Sequence, residues 1–359
     1  MLKTVDPVKL EHRAEEALRR LLAAVPAIEH LDVPMPVEVG DRGIDLTIRV
    51  GVAGHDYTLV CEIRSSGQPR HVRVALLQLR DHVQRRGDHA IPVFIAPHLS
   101  AAAQALCREY DVGFIDLEGN ARLVFGGVFI DRQVASKPTV ERRELRSLFK
   151  PTSAQVLRLM LREPERAWRV AELGESAGVS LGHASNVRAS LLDREWAQLA
   201  SDGVFLSDPD ALLDAWRESY QPPVGKRLGF YTTLHGASFE NVVRELQSAP
   251  AEDGRLALAS FSAAQWLAPY GRTGTQYFYT DEPGCERLRA ALNLSPASKG
   301  ENLMVTVLEE PGVFRDMVEP APGVLCTSPV QTYLDLCNAG ERGREAAEHL
   351  RRARLQWRT

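Results

Sequence analysis

The chain is poor in cysteine, and its cysteines form no pattern. Cys61, Cys107, Cys285, Cys326 and Cys337 are scattered through 359 residues without a Cys-x-x-Cys pair. An odd, dispersed set argues against a disulfide framework, and the missing pair argues against a zinc site, so reduced and packed thiols are expected. No apolar run approaches the roughly 20 residues needed to span a bilayer. Residues 1–20 mix charged and apolar side chains, unlike the apolar core of a signal peptide, so a cytoplasmic chain with no membrane partner is expected. Excess positive charge is also absent. Lys and Arg number 43 against 47 Asp and Glu, a net charge of −4. That balance excludes a chain that coats nucleic acid indiscriminately and confines any contact with it to a local patch. There is no internal repeat and no low-complexity tract.

What remains is ordinary globular composition, 44% hydrophobic and 25% charged. Each part can bury its own core, and the length suits two or three domains, with three as the working number. The fold class expected is α+β and multidomain. Its parts are an N-terminal α/β domain over 1–134, a central winged helix-turn-helix over 147–221 and a C-terminal α+β domain over 226–359.

The first part opens with an amphipathic helix over residues 8–25, with Leu10, Ala14, Leu18, Leu21 and Leu22 on one side. Ile44, Leu46, Ile48 and Val50 then alternate with Asp45, Thr47 and Arg49, the period of a half-buried strand. Gly51 and Gly54 lie in the loop that leads to a second strand over 57–64. A helix over 72–86 follows, with Val74, Leu77, Leu79 and Val83 at helical spacing. A strand over 91–96, a helix over 100–110 and a strand over 113–117 complete the domain near Arg132. The polar stretch 135–146 reads as a linker, and Thr152 with Gln155 reads as a capping box opening the next helix.

The most informative stretch runs from Trp168 to Leu206. Val170, Leu173 and Ala177 make the apolar face of a short helix, Gly178 supplies a positive φ, and Ser180 caps a second helix over 181–194. Ala184, Val187 and Leu191 face that second helix inward, so its opposite surface carries Gly182, His183, Ser185, Asn186 and Arg188. Asn pairs with adenine, Arg with guanine or phosphate, and Ser and His with base edges or backbone. The helix N-terminus adds a dipole favourable to phosphate. Two short strands follow, joined by Ser201-Asp202-Gly203, a hairpin signal that reads as a wing. Asp208 and Pro209 then open another helix. Arg169, Ser180, His183, Ser185, Asn186 and Arg188 are the DNA-binding candidates, with double-stranded DNA as the partner. A protein-binding role for the same module is the alternative.

In the first domain, Asp45 on one strand and Glu62 at the end of the next are two carboxylates on adjacent strands, as two-carboxylate magnesium sites require. The order helix, strand with Asp45, strand with Glu62-Ile63-Arg64, helix, strand, together with the turn Asp116 to Asn120, resembles the PD-(D/E)XK nuclease fold over residues 8–130. The resemblance implies a restriction-endonuclease-like domain with Asp45, Glu62, Arg64 and Gln78 as candidate catalytic residues, joined by Glu11 or Glu15. It also implies magnesium held by Asp45 and Glu62 if the site is active. Active relatives usually carry Lys where Arg64 stands, and a guanidinium that stays protonated cannot act as a base toward water. On the other reading the carboxylates are ordinary strand residues in a domain kept for binding or assembly, and no cofactor is needed. Arg70, Arg73, Arg80, Arg85 and Arg86 then form a phosphate-facing surface or a soluble helix face.

Near the C-terminus, Cys326-Thr327-Ser328-Pro329 leads into a Leu334-Asp335-Leu336 segment, and Gly340-Glu341-Arg342-Gly343-Arg344-Glu345-Ala346-Ala347 follows. This pair of helices resembles the end of the AbiEi family, the transcription-regulating antitoxins of type IV toxin-antitoxin systems, closely over 324–350 and more loosely from Gly229. The resemblance implies a repressor that binds operator repeats near its own promoter and need not touch its toxin. In this chain the winged helix is central and the nuclease-like domain is extra. The expected function is sequence-specific DNA binding that represses a toxin-antitoxin or defence operon, by a homodimer if the operator is palindromic. The alternative is a metal-dependent nuclease targeted by the winged helix.

Overall fold

The computed structural model describes residues 7–32, 44–86, 89–134, 139–271, 273–297 and 299–357. The chain divides into two compact units, Met1–Glu144 with Leu192–Glu195, and Leu145–Leu191 with Trp196–Thr359.

The first unit is built on one seven-stranded sheet whose strands lie in sequence order. They are β1 (Ile28–Leu31), β2 (Leu46–Val52), β3 (His55–Ile63), β4 (Ala90–Ala96), β5 (Gly113–Asp116), β6 (Ala121–Phe125) and β7 (Val128–Arg132). β3, β4 and β5 are parallel, and the strands on either side of them pair antiparallel. The parallel steps are made by helices, as they must be, with α2 (Pro69–Arg86) between β3 and β4 and α3 (Ala101–Glu109) between β4 and β5.

Helix α1 (Pro7–Ala23) covers one face through Leu10, Ala14, Leu18 and Leu22, which meet Ile48, Leu59, Cys61 and Leu123. α2 and α3 cover the other through Val72, Leu76, Leu79 and Leu106, against Val60, Phe94 and Phe114. Two covered faces explain a departure from the alternating pattern. In β2 only Arg49 is exposed, and Thr47 is buried along with its apolar neighbours. They also correct the reading of α2. Its buried stripe is Val72, Ala75, Leu76 and Leu79, while Val74 and Leu77 are each 56% exposed.

The stretch read as a linker holds helix α4 (Thr139–Leu148), in which Leu145 and Leu148 are buried at a three-residue interval. α5 (Pro151–Arg162) follows, and the expected capping box does not form there. Lys150 stands at the N-cap with no side-chain hydrogen bond, and the Gln155 side chain lies beside Gly312 instead.

The second unit continues with α6 (Val170–Ala177), α7 (Leu181–Asp193), β8 (Ala197–Leu199), β9 (Val204–Leu206) and α8 (Pro209–Ser219). A second seven-stranded, mixed sheet comes after them, in the order β13-β10-β14-β12-β11-β16-β15. Its strands are β10 (Gly225–Tyr231), β11 (Leu256–Leu258), β12 (Gln276–Thr280), β13 (Ser295–Pro296), β14 (Leu303–Leu308), β15 (Val318–Ala321) and β16 (Val324–Cys326). α9 (Gly236–Gln247), α10 (Ser260–Leu267), α11 (Glu282–Ala291), α12 (Pro329–Cys337) and α13 (Gly340–Arg354) accompany it. α12 packs against α10, α13 and α5, so the helices before the sheet and the sheet's own helices share a core. No helix among the described residues is long and apolar enough to cross a membrane.

Candidate nucleic-acid interface

The α6–α7 pair is held by local chemistry. Gly178 closes α6 at φ +65°, a conformation costly for residues with a Cβ. The Ser180 hydroxyl accepts from the His183 amide at 3.2 Å, capping α7. The hairpin behind them is tightened by Trp168, whose amide donates to the Val204 carbonyl at 2.8 Å and whose carbonyl accepts from the Val204 amide at 3.0 Å. Gly203 is required at that approach, since a Cβ there would lie 2.5 Å from the Trp168 backbone. Asp208 caps α8 by accepting from the Ala211 amide at 3.0 Å, with Pro209 at the first helical position.

Ala184, Val187 and Leu191 of α7 are buried. On the opposite side Gly182, Ser185, Asn186 and Ala189 are exposed, with Ser180 just ahead of them, and Arg188 is half-buried on the flank. His183 lies on the other flank and is drawn inward, its Nε2 hydrogen-bonded to Ser153 Oγ of α5 at 3.0 Å. Arg169 is exposed at the N-cap of α6. Its neighbour Arg166 is committed elsewhere. It donates to Glu163 at 2.9 Å and to Glu172, with its guanidinium 3.8 Å from the Trp168 ring centre. The hairpin exposes Gln198, Leu199, Ala200, Ser201 and Asp202 and brings no cation. Ser180, Ser185 and Asn186 therefore form a small, uncharged polar surface, with Arg169, Arg188 and Arg315, whose guanidinium lies against Gly178, among the nearby positive charges.

The carboxylates of the first unit lie at the ends of adjacent strands. Asp45 Oδ2 accepts from the Ile63 amide at 2.7 Å. Glu62 is fully buried, and burial pushes its carboxyl up to about 7 despite the charge and hydrogen bond of Arg64. Arg64 Nε donates to Glu62 Oε1 at 2.6 Å, and its Nη2 lies 3.4 Å from Gln78 Oε1. Asp45, Glu62, Arg64 and Gln78 are thus brought together, while Glu62 Oε2 is left without a hydrogen bond. The set does not fit a hydrated magnesium ion, which wants octahedral oxygen ligands. One carboxylate is tied to a backbone amide, and the other is fully buried and paired with a guanidinium. Among the described residues no group of three or more His, Cys, Asp and Glu is placed to hold a metal. Of the arginines on α2, Arg73 reaches the Tyr110 hydroxyl, Arg80 lies over the Tyr110 ring and Arg85 pairs with Asp81. The side chain of Arg86 lies outside the described residues.

Two buried polar centres surround Asp116 and Asp335, residues that the sequence marks without indicating their partners. His98 sits between Glu141, 2.5 Å from its Nε2, and Asp116, 3.6 Å from its Nδ1. Burial alone would lower its pKa, but the two carboxylates outweigh that and raise it to about 9. Asp116 is held by the amides of Leu99, Glu118 and Asn120 and by the Asn120 side chain, so the Asp-x-x-x-Asn turn was the signal for it. In the second unit Asp335 accepts from the hydroxyls of Tyr220 and Tyr279 and from Gln331 Nε2, and Gln331 Oε1 accepts from Arg158 at 3.2 Å. That network joins α5 and the end of α8 to α12, and it has no recognisable sequence signature beyond Leu334-Asp335-Leu336.

Comparison with known proteins adds a similarity over part of the chain. The family model described as a transcriptional regulator, the AbiEi antitoxin of type IV toxin-antitoxin systems, matches residues 205–356, from β9 through α13. No curated protein matches. A solved structure described as the EndoMS–dsDNA2 complex is similar at 21% identity over 28% of this chain and 43% of that chain, with a TM-score of 0.20. The chain thus spans less than half the length of that protein, and a TM-score this low carries no argument about fold or function.

Proposed function

We propose that this chain is a sequence-specific DNA-binding transcriptional regulator of the AbiEi antitoxin type, repressing a toxin-antitoxin or defence operon. In this reading α5 to α8 with the β8–β9 hairpin are a winged helix-turn-helix, and α7 is its recognition helix. The observation that carries the reading is the two-sidedness of α7, which buries Ala184, Val187 and Leu191 and exposes Gly182, Ser185 and Asn186 behind a serine cap. Short uncharged side chains let a helix sit deep in the major groove. The match to the regulator family over residues 205–356 supports the same conclusion. The partner is double-stranded DNA, bound by a homodimer where the operator is palindromic, and contact with a toxin is not required.

Residues 1–134 are proposed as a restriction-endonuclease-like domain kept for binding or assembly. The metal-dependent nuclease alternative lacks support from the donor set around Glu62, so no cleavage step is derived. The domain limits proposed are 1–134, 147–221 and 226–359, of which the last two fall in the second compact unit apart from Leu192–Glu195. A gel shift with duplex from upstream of the gene tests the function. A retarded band that resists unrelated competitor DNA is expected, and its absence removes the proposal.

A further inference from the structure

Among the exposed positions of α7, Leu181 is out of place. It is the first residue of the helix and 60% exposed, whereas the rest of the open face is glycine, alanine, serine and asparagine. It lies on the flank shared with Arg188, about a quarter-turn from the core face that Ala184, Val187 and Leu191 supply. At 3.6 residues per turn, Leu181, Ser185 and Arg188 fall on one stripe, with Gly182 and Asn186 beside it. Next to Leu181 the helix is bare, since a Cβ on Gly182 would meet nothing within 4 Å. A largely exposed isobutyl group therefore stands at the leading end of α7, with open space beside it at Gly182 where the backbone is free to approach a partner closely.

We infer that Leu181 is a specificity-determining residue that packs against the 5-methyl group of a thymine in the major groove. The inference rests on α7 being the recognition helix. The N-terminal residues of such a helix are the ones that reach base edges. The thymine methyl is the one apolar group the base edges present in that groove, and apolar side chains read it. The other groups on the open face, Ser185 and Asn186, are suited to hydrogen-bonding edges, so Leu181 adds a contact they cannot make. Removing one methyl from such a contact weakens binding about fourfold.

The test uses the full chain. Duplexes enriched from a random pool define its preferred site, and each thymine of that site is then replaced singly by deoxyuridine, which lacks only the methyl. Wild type is expected to lose about fourfold in affinity at one position. Leu181→Ala should bind thymine and uracil equally there, and Leu181→Met should restore the preference. Wild type indifferent to uracil at every thymine, or Leu181→Ala still discriminating, overturns the inference while leaving DNA binding intact. A change in the oligomeric state of the free Leu181→Ala chain would make Leu181 a subunit contact and overturn it as well. If no duplex is enriched, the recognition-helix reading fails first and takes the inference with it.

Discussion

Arg158 and Asp316 are 158 positions apart in sequence and meet inside the second unit, Arg158 Nε donating to Asp316 Oδ1 at 3.0 Å with both residues buried. The same guanidinium donates to the Gly312 carbonyl at 3.0 Å and to Gln331 Oε1 at 3.2 Å. One side chain of α5 thus ties the helices before the second sheet to the segment before β15 and to α12. A buried pair of this kind is costly to break from one side, because the remaining charge loses its partner without regaining water. Arg158→Met should destabilise the second unit by about 3 to 5 kcal/mol. Urea unfolding, followed by a probe in that unit, measures it. The double change Arg158→Met with Asp316→Leu should recover much of the loss, since no orphaned charge is then left.

The network continues to Asp335, and there it predicts a pH dependence. Burial pushes this carboxyl up to about 6 against the hydrogen bonds from Tyr220, Tyr279 and Gln331. An unfolded Asp titrates near 3.9. Between these values the folded state keeps a proton that the unfolded state has released, so stability falls as pH rises across the window, and the full cost is present above it. Asp335→Asn keeps an acceptor for the tyrosines and has no charge to bury. Relative to it, the wild-type urea midpoint should drop between pH 4 and 6.5, and parallel curves would contradict this.

His98 predicts the opposite end of the scale for the first unit. Its folded pKa of about 9, against about 6.5 unfolded, means that Asp116 and Glu141 stabilise the fold fully below pH 6.5 and lose that contribution as pH rises through 9. The loss should be on the order of 3 kcal/mol. His98→Gln should flatten the curve over pH 6.5 to 9 in thermal melts of the full chain.

Much of the local structure was legible because it depends on local rules. The Ser180, Asp208 and Ser328 caps, the turn at Gly178 and the apolar spacing of α7 each follow from residues within one or two helical turns. What sequence could not show depends on distant partners. His183 reads as a surface residue until Ser153 is found beside it. Arg158 reads as a solvated arginine on an amphipathic helix, and only the fold brings it to Asp316. The two exposed apolar residues Val74 and Leu77 fit a helical period as well as the buried ones do, and the position of β4 and α3 decides between them. The helix in residues 139–148 was hidden by its charge, since among its described side chains Leu145 and Leu148 are the large buried ones. The short strands β1 and β6 are likewise specified less by their own pattern than by their pairing with β2 and β7.

If α7 reads DNA as proposed, the cations near it set the salt dependence. Arg169→Ala should weaken binding to all duplexes equally and reduce the slope of log K against log salt by about 1. Ser185→Ala and Asn186→Ala should instead act at single base positions, each costing about 1 to 3 kcal/mol for the preferred base and little for the others. Fluorescence anisotropy titrations over a range of salt concentrations separate the two patterns.

The carboxylates around Glu62 should not respond to divalent metal. Magnesium or manganese at millimolar concentration is expected to leave the melting temperature unchanged and to produce no cutting of duplex DNA. Metal-dependent cleavage that vanishes in Asp45→Ala and Glu62→Ala would reinstate the nuclease reading.

The most direct trial of the account is competitive binding of the full chain to duplex from upstream of its own gene, with wild type compared against the Ser185→Ala, Asn186→Ala double variant. The account expects wild type to prefer this duplex over scrambled sequence at moderate salt and the variant, equally stable, to lose that preference. Equal affinity of wild type for both duplexes, or an undiminished preference in the variant, would contradict it.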